Sequence, residues 1–244
     1  MNVLMKTQEV PIPLAKSKLL IPVPRYLQDH YWWAYVHPRA VNVFERQWLV
    51  NLILWGSYNR LCNAILDGYG HKLSGSTLQV ACAYGDLTPR LAACMTNDAS
   101  FEVVDILQIQ LDNLASKLPQ DTTVRLQQMD SSGLKMESAM FDRVLLFFLL
   151  HEQPEEVRRK TLLEALRVVR PGGTLTIVDY APPSRFNPLR YLWCPLVKVL
   201  EPFAGDLFCY PIKTWLPSDE SLRLLAEQRF FGGIYQLLTL QVVE

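Results

Sequence analysis

Short apolar runs alternate with helix-period segments between Thr77 and Asp179, and most of these runs close on a carboxylate, an amide or a small residue. The run that ends at Val80 leads through a loop of small residues into a helix pattern. Phe101 to Asp105 is a second apolar strand, Leu107 to Leu118 a helix, and Thr123 to Met129 a third strand. Phe141-Asp142 opens the fully apolar run Val144 to Leu150, which suits a central parallel strand buried on both faces. A helix pattern from Glu155 to Val169 stops at Arg170-Pro171-Gly172-Gly173, where proline cannot continue a helix and glycine permits positive φ; the strand Thr174 to Asp179 follows. This β-α-β-α-β-β-α-β order predicts an α/β fold with a mostly parallel, doubly wound, Rossmann-like sheet. Its ligand should lie outside the carboxyl ends of the strands, next to Val80.

Two regions fall outside the repeat. Residues 1–70 hold an aromatic block (Tyr26, Tyr31, Trp32, Trp33, Tyr35) and a long helix pattern that begins at Pro38 and includes the nearly all-apolar Trp48 to Trp55. Such clusters are commonly core, but this one sits where the architecture places a helical cap over a flat, apolar substrate. Residues 182–216 form an insertion after the fifth strand. With residues 71–181 as the cofactor-binding core and 217–244 supplying a C-terminal helix and strands, the chain is expected to be one domain.

Composition narrows the function classes. With 244 residues, 50% of them hydrophobic, the chain can bury a full core without disulfides or metals. Lys plus Arg equals Asp plus Glu at 24 each, so there is no basic field for nucleic acid. Five scattered cysteines (Cys62, Cys82, Cys94, Cys194, Cys209) without a C-x-x-C pair indicate reduced thiols. Met1 to Lys18 lacks the apolar core of a signal peptide, and Pro11 and Pro13 suggest an extended arm. No apolar run reaches the roughly 18 residues of a membrane span. Pro182 to Leu200 has no acid and interleaves Arg185, Arg190 and Lys198 with Phe186, Tyr191, Leu192 and Trp193. That pattern suits either the headgroup boundary of an anionic membrane or a lid helix packed on the core.

The segment TLQVACAYGDLTPRLA, Thr77 to Ala92, resembles the strand-loop-helix with which class I S-adenosylmethionine (AdoMet) methyltransferases hold their cofactor, with altered chemistry. Gln79 stands where an acid is usual, Ala81 and Ala83 replace two glycines, and Gly85 remains. Gln79, Ala81, Ala83, Tyr84, Gly85 and Asp86 are the candidate contacts of the loop, where helix N–H groups would face the cofactor carboxylate. Asp105, followed by Ile106, lies about 20 residues beyond the last loop glycine, where a carboxylate grips a ribose diol. Asp130-Ser131 ends the third strand, where the adenine amino group is met. Each aspartate alone is as easily a turn or helix cap. Three in register with the loop favour the AdoMet fold.

YLQDHYWWAYVHPRAVNVFERQWLVNLILWGSYNRL, the loop VACAYGDLT, LLFFLLHE with RPGGTL, and PFAGDLF with PIKTWLP together resemble the RquA family of rhodoquinone-biosynthesis proteins, over about Pro22 to Val243. These are relatives of the methyltransferases that act on ubiquinone precursors. The resemblance implies conversion of ubiquinone to rhodoquinone by exchange of a ring methoxy for an amino group, with AdoMet as amino donor and manganese assisting. A neutral Gln79, unlike a carboxylate, would not favour the ammonium form of the AdoMet amino group, giving the altered loop a rationale. Hard cations prefer carboxylates, carbonyls and some imidazole. His151 and Glu152 follow the central strand and Asp179 ends the next, so these three are the candidate metal ligands, and Asp142 should lie at the opposite edge. His151 is alternatively a general base, a helix cap or a substrate contact. Tyr180 would line the same pocket, and Glu155, Glu156, Arg158, Arg159 and Lys160 make a solvated helix face.

Two other classes stay open: an ordinary AdoMet methyltransferase on a quinone or phenol, and a non-catalytic quinone-binding protein of this fold. The expected place of work is the cytoplasmic face of a bacterial inner membrane, by peripheral contact, or a mitochondrion if Met1 to Leu20 is a poor targeting segment.

Overall fold

The computed structural model describes residues 21–243 except Ala83 and residues 218–220. The arm expected at Met1 to Lys18 and the targeting segment considered at Met1 to Leu20 therefore lie outside the described residues. The polypeptide enters through α1 (Arg25–His30), a π-helical turn (Trp32–Val36), α2 (Pro38–Phe44), α3 (Gln47–Ile53) and α4 (Tyr58–Tyr69). Then β1 (Ser76–Val80), α5 (Leu87–Cys94), β2 (Ser100–Asp105), α6 (Gln108–Lys117), β3 (Arg125–Gln128), β4 (Phe141–Phe147), α7 (Glu155–Val168) and β5 (Val169–Tyr180) build the repeat. The chain continues through α8 (Arg190–Leu200), α9 (Gly205–Cys209), β6 (Leu222–Phe230) and β7 (Tyr235–Val242).

One seven-stranded sheet results, in the order β3-β2-β1-β4-β5-β7-β6. The first five strands are parallel and β7 is antiparallel to both β5 and β6. This is the class I AdoMet methyltransferase fold. The order reverses at β1, so the crevice at its carboxyl end is the natural ligand position. Val144, Leu145 and Leu146 of β4 are fully buried, as a continuous apolar run between two helical layers requires. Asp142 accepts from Ser76 N at 2.7 Å, at the opposite edge of the sheet.

Four expectations are corrected. The long helix from Pro38 is two short ones: Arg46 is extended, because the preceding Glu45 turns its carboxylate to Gly85 N (3.2 Å), Asn113 Nδ2 (2.7 Å) and Lys117 Nζ (2.7 Å). Arg170-Pro171-Gly172-Gly173 does not separate helix from strand. It is a bulge inside β5, where pairing jumps from Phe141–Val169 to Arg143–Thr174 and Gly172 takes φ 78°. No α-helix occurs among the described residues of 217–243; a 3-10 turn at Phe231–Gly233 joins two strands instead. Finally, Arg158 does not belong to a solvated face. It is fully buried, whereas Glu155–Arg159 and Glu156–Lys160 are exposed ion pairs four residues apart.

Candidate active site

The carboxyl ends of β1, β2, β4 and β5 open on a cavity of about 330 Å³, roofed by α1 to α3 and by α8. That is within the range of small-molecule sites, about 300–1,000 Å³. At its β2 and β3 end, Ile106, Leu107 and Met129 supply apolar walls and Asp105, Asp130 and Ser131 supply acceptors. Asp105 is buried, with Oδ2 accepting from Cys82 N (2.8 Å) and Oδ1 from Leu107 N (2.7 Å). Burial pushes its carboxyl up to about 6, against the downward pull of those backbone donors. Each carboxylate oxygen has a second lone pair, so a ribose diol can still be accepted there. Asp130 Oδ1 accepts from Ser132 N and Oγ (2.8 and 2.7 Å), while Ser131 Oγ meets Thr161 Oγ1 (2.9 Å) and accepts from Gln153 Nε2 (3.0 Å). Apolar walls beside acceptors are the chemistry that an adenosine group requires.

The methionine end is different. Gln79 is fully buried behind the cavity wall: its Nε2 donates to Ala81 O (3.0 Å) and its Oε1 accepts from Thr88 Oγ1 (2.9 Å). Its amide braces the loop and does not reach the cavity. Gly85 and Asp86 do not line the cavity either. The N–H groups expected to meet a ligand carboxylate are already paired, Gly85 N with Glu45, and Asp86 N and Leu87 N with the Tyr58 hydroxyl (2.7 and 3.0 Å). A Cβ on Gly85 would stand 2.4 Å from that hydroxyl, which is why this glycine remains. Ala81 does line the cavity and takes φ 72°, the left-handed region that the usual glycine adopts freely. Tyr84 donates to Ala34 O (2.6 Å) and stacks between Tyr35 and Phe44 (centroids 5.6 and 6.1 Å), fastening the cap to the loop. Ala83 is outside the described residues.

Beyond β4 the chain turns at Phe148 (φ 51°) and buries His151. His151 Nδ1 lies 3.0 Å from Asp179 Oδ1, and Nε2 lies 3.7 Å from both Glu152 Oε1 and Glu201 Oε2. Tyr180 and Phe148 pack on the imidazole (centroids 5.0 and 5.9 Å). Burial alone would lower the His151 pKa, but Asp179 first, then Glu201 and Glu152, outweigh it and raise it to about 10. Burial raises Glu152 to about 8 and shifts Glu201 upward too. The ring therefore holds its proton at neutral pH and faces the cavity as a donor.

The expected ligand set of His151, Glu152 and Asp179 is not assembled. Asp179 spends its oxygens on Leu150 N (2.8 Å), Tyr180 N (2.8 Å) and the imidazole. It orients His151. Among the described residues no group of three or more His, Cys, Asp or Glu side chains is placed to hold a metal ion.

Three residues here were not among the sequence candidates for the site. Glu201 reaches the site from the end of α8, and its Oε2 is buried without a hydrogen-bond partner among the described residues. The signal was available: it is the first acid after the acid-free stretch Pro182 to Leu200. Trp193, also on the wall, has its indole N–H buried and unpartnered in the same sense. Arg158 donates to Leu150 O (2.9 Å), Gln153 O (2.9 Å) and Phe203 O (2.8 Å), pairs with Asp206 (3.2 Å) and lies over the Trp215 ring. It ties the His151 turn to the segment that carries Glu201, and nothing in an i,i+4 charge pattern distinguishes it from its solvated neighbours.

Residues 77–173 match a family described as a methyltransferase domain. The demethylmenaquinone methyltransferase of Bacillus licheniformis is 24% identical over 219 residues, 84% of this chain and 90% of that one. The ubiquinone/menaquinone biosynthesis C-methyltransferase UbiE of Ectopseudomonas mendocina is 27% identical over 192 residues, 74% of this chain and 71% of that one. Among solved structures, an AdoMet-dependent methyltransferase from Aquifex aeolicus superposes with a TM-score of 0.55 at 17% identity, covering 85% of this chain and 99% of that one. The [4+2]-cyclase SpnF also superposes at 0.55, with 16% identity, 75% of this chain and 80% of that one covered. Residues 77–173 thus match a methyltransferase-domain family, the fold is that of the class I AdoMet methyltransferases, and the chain is similar at low identity to methyltransferases of ubiquinone and menaquinone biosynthesis.

Proposed function

We propose that the chain is an AdoMet-dependent enzyme that converts ubiquinone to rhodoquinone by replacing a ring methoxy group with an amino group. The observation that carries this is a pair of departures, a buried imidazole among carboxylates on the cavity wall and, behind that wall, loop N–H groups already satisfied by Glu45 and Tyr58. AdoMet, when bound, supplies the nitrogen, with its adenosine against Asp105, Ile106, Asp130 and Ser131. The quinone lies under the aromatic roof with an oxygen toward His151 Nε2. Asp179 fixes the ring, and the imidazolium N–H polarises that oxygen as charge develops on it. The amine attacks, and the ring carbon–nitrogen bond forms as the ring carbon–oxygen bond breaks. Glu152, kept protonated at neutral pH by its burial, is placed to give the departing methoxide the proton with which it leaves as methanol. Freeing the amino group then takes a second cleavage, of the bond between the nitrogen and the cofactor's α-carbon. Manganese, which the resemblance implies, has no assembled ligand set among the described residues, and the steps assigned here belong to the chain's own side chains. The place of work is the cytoplasmic side of a bacterial inner membrane, where a prenylated quinone is found in the lipid.

The names of the relatives favour a second reading, methyl transfer to a quinone precursor. Mass spectrometry of a short-chain ubiquinone incubated with the protein, manganese and AdoMet labelled with nitrogen-15 on its amino group separates the two. Labelled rhodoquinone supports amination, a methylated quinone supports the second reading, and unchanged quinone with AdoMet bound leaves a quinone-binding protein.

A further inference from the structure

Two helices that roof the cavity are apolar on both of their faces. On α8, Trp193, Val197 and Leu200 point into the cavity, whereas Leu192 (70% exposed), Leu196 and Val199 (81% exposed) form an outward stripe at four- and three-residue spacing, with Tyr191 (72% exposed) beside it. On α3, Val50 and Ile53 line the cavity, whereas Trp48 (62% exposed) and Leu52 (64% exposed) face outward one turn apart. Trp55, just past α3, meets Trp193 of α8 edge-on at 5.2 Å, which brings the two helices side by side on the roof. A soluble helix ordinarily turns one apolar stripe to the core and a polar face to water. Here the polar faces are missing on neighbouring helices.

Cations flank both stripes, and the acid met beside α3 is Asp86, which accepts from Gln47 Nε2 (3.0 Å). Arg46 precedes α3 and is exposed, and α3 itself has no acid. Arg185 and Lys198 are exposed, and Arg190 lies over the Tyr191 ring at 5.6 Å. Pro182 to Leu200 contains no acid, and Glu201, the first to follow, is turned inward to His151. Exposed Trp, Tyr and Leu beside Arg and Lys match the boundary between acyl chains and anionic headgroups. No helix among the described residues is long and apolar enough to cross a bilayer.

We propose that the outward faces of α3 and α8 form one docking surface for an anionic lipid bilayer, set on the cavity roof so that an apolar chain passes from lipid between the helices to His151. A bilayer supplies the apolar layer, the anionic charge and the ligand together. The surface deepens the quinone assignment and rests on it only for the ligand's identity, because vesicle binding needs no turnover.

The test is co-sedimentation of the full chain with phosphatidylcholine vesicles that contain or lack phosphatidylglycerol. Binding is expected to the anionic vesicles and to weaken with added salt. Leu192→Ser with Val199→Ser, or Trp48→Ser with Leu52→Ser, should each reduce binding at least about tenfold, since each pair withdraws two large apolar side chains from the lipid. None of the four lines the cavity, so thermal melting and turnover of a short-chain, water-soluble quinone should be unchanged while turnover of a long-chain quinone in vesicles falls. Failure of the parent protein to sediment with anionic vesicles overturns the proposal. So does a dimer in sedimentation velocity that the same substitutions dissolve, which would assign the surface to a second copy. Vesicle binding with no turnover of any quinone would sustain the surface and reject the quinone chemistry.

Discussion

Asp105 ends β2 and Asp179 ends β5, at the two ends of one cavity, yet their surroundings assign them different work. Asp105 meets backbone N–H groups and the Cys82 thiol, all neutral donors, so burial lifts its pKa and suits it to accept from neutral hydroxyls. Asp179 accepts backbone N–H groups and also holds an imidazole that Glu152 and Glu201 flank. One residue type at the same place on a strand therefore makes a ligand-binding acceptor in one region and a positioning group for a charged ring in the other. The difference comes from what the following turns bring: Ile106-Leu107 after β2, and across the sheet the His151 turn after β4.

The sharpest way to break this comparison is to damage each end separately. His151→Asn should lower turnover by about 10²–10⁴-fold with little change in AdoMet affinity. Asp105→Asn should do the reverse, weakening AdoMet by about 1.5–3 kcal/mol in calorimetric titration with a smaller effect on turnover at saturation. If both variants lost binding equally, the two ends would not be functionally distinct. Arg158→Ala tests what holds the second end together. It strands Asp206 and three carbonyl oxygens and should cost about 3–5 kcal/mol in urea denaturation, with Arg158→Lys recovering only part.

Acidity separates the ends more gently. Asp105, Glu152, Glu201 and His151 all have raised pKa values, so at these groups the folded protein binds more protons than the unfolded chain and their contribution to the unfolding free energy should fall as pH rises. For Asp105 the fall lies between its ordinary 3.8 and about 6; for Glu152 it lies between 4.5 and about 8, and for His151 between 6.5 and about 10. Denaturation at stepped pH should show Asp105→Asn flattening the low window and His151→Asn the high one. The smallest effect expected is at Ala81, whose φ of 72° is costly for a residue with a Cβ. Ala81→Gly should gain up to about 1 kcal/mol, the relief of strain being partly offset by the freer unfolded chain.

The sheet was legible because a buried parallel strand must be apolar throughout, and β2 and β4 announce themselves that way. Elements shaped by distant partners were not. Glu45 breaks the helix from Pro38 by reaching Gly85, Asn113 and Lys117, none of them near it in sequence. The C-terminal helix failed because β7 is specified by its pairing with β5. In the site, Asp105, Asp130, His151 and Glu152 were marked by their places after strands and do face the cavity. Gln79 was marked by the same rule and faces away from it, since side chains alternate along a strand and only one face of β1 meets the ligand. Glu201 and Arg158 were hidden because their meaning depends on each other's neighbourhoods.

Arg158 also bears on when the protein becomes competent. Its guanidinium joins the turn at Leu150 and Gln153 to Phe203 and Asp206, about fifty residues further along the chain. The sheet is held by backbone pairing that does not involve this cation, whereas the acid from α8 and the imidazole are held face to face through it. A chain with its sheet but without these contacts would be folded in outline and still lack the reactive cluster.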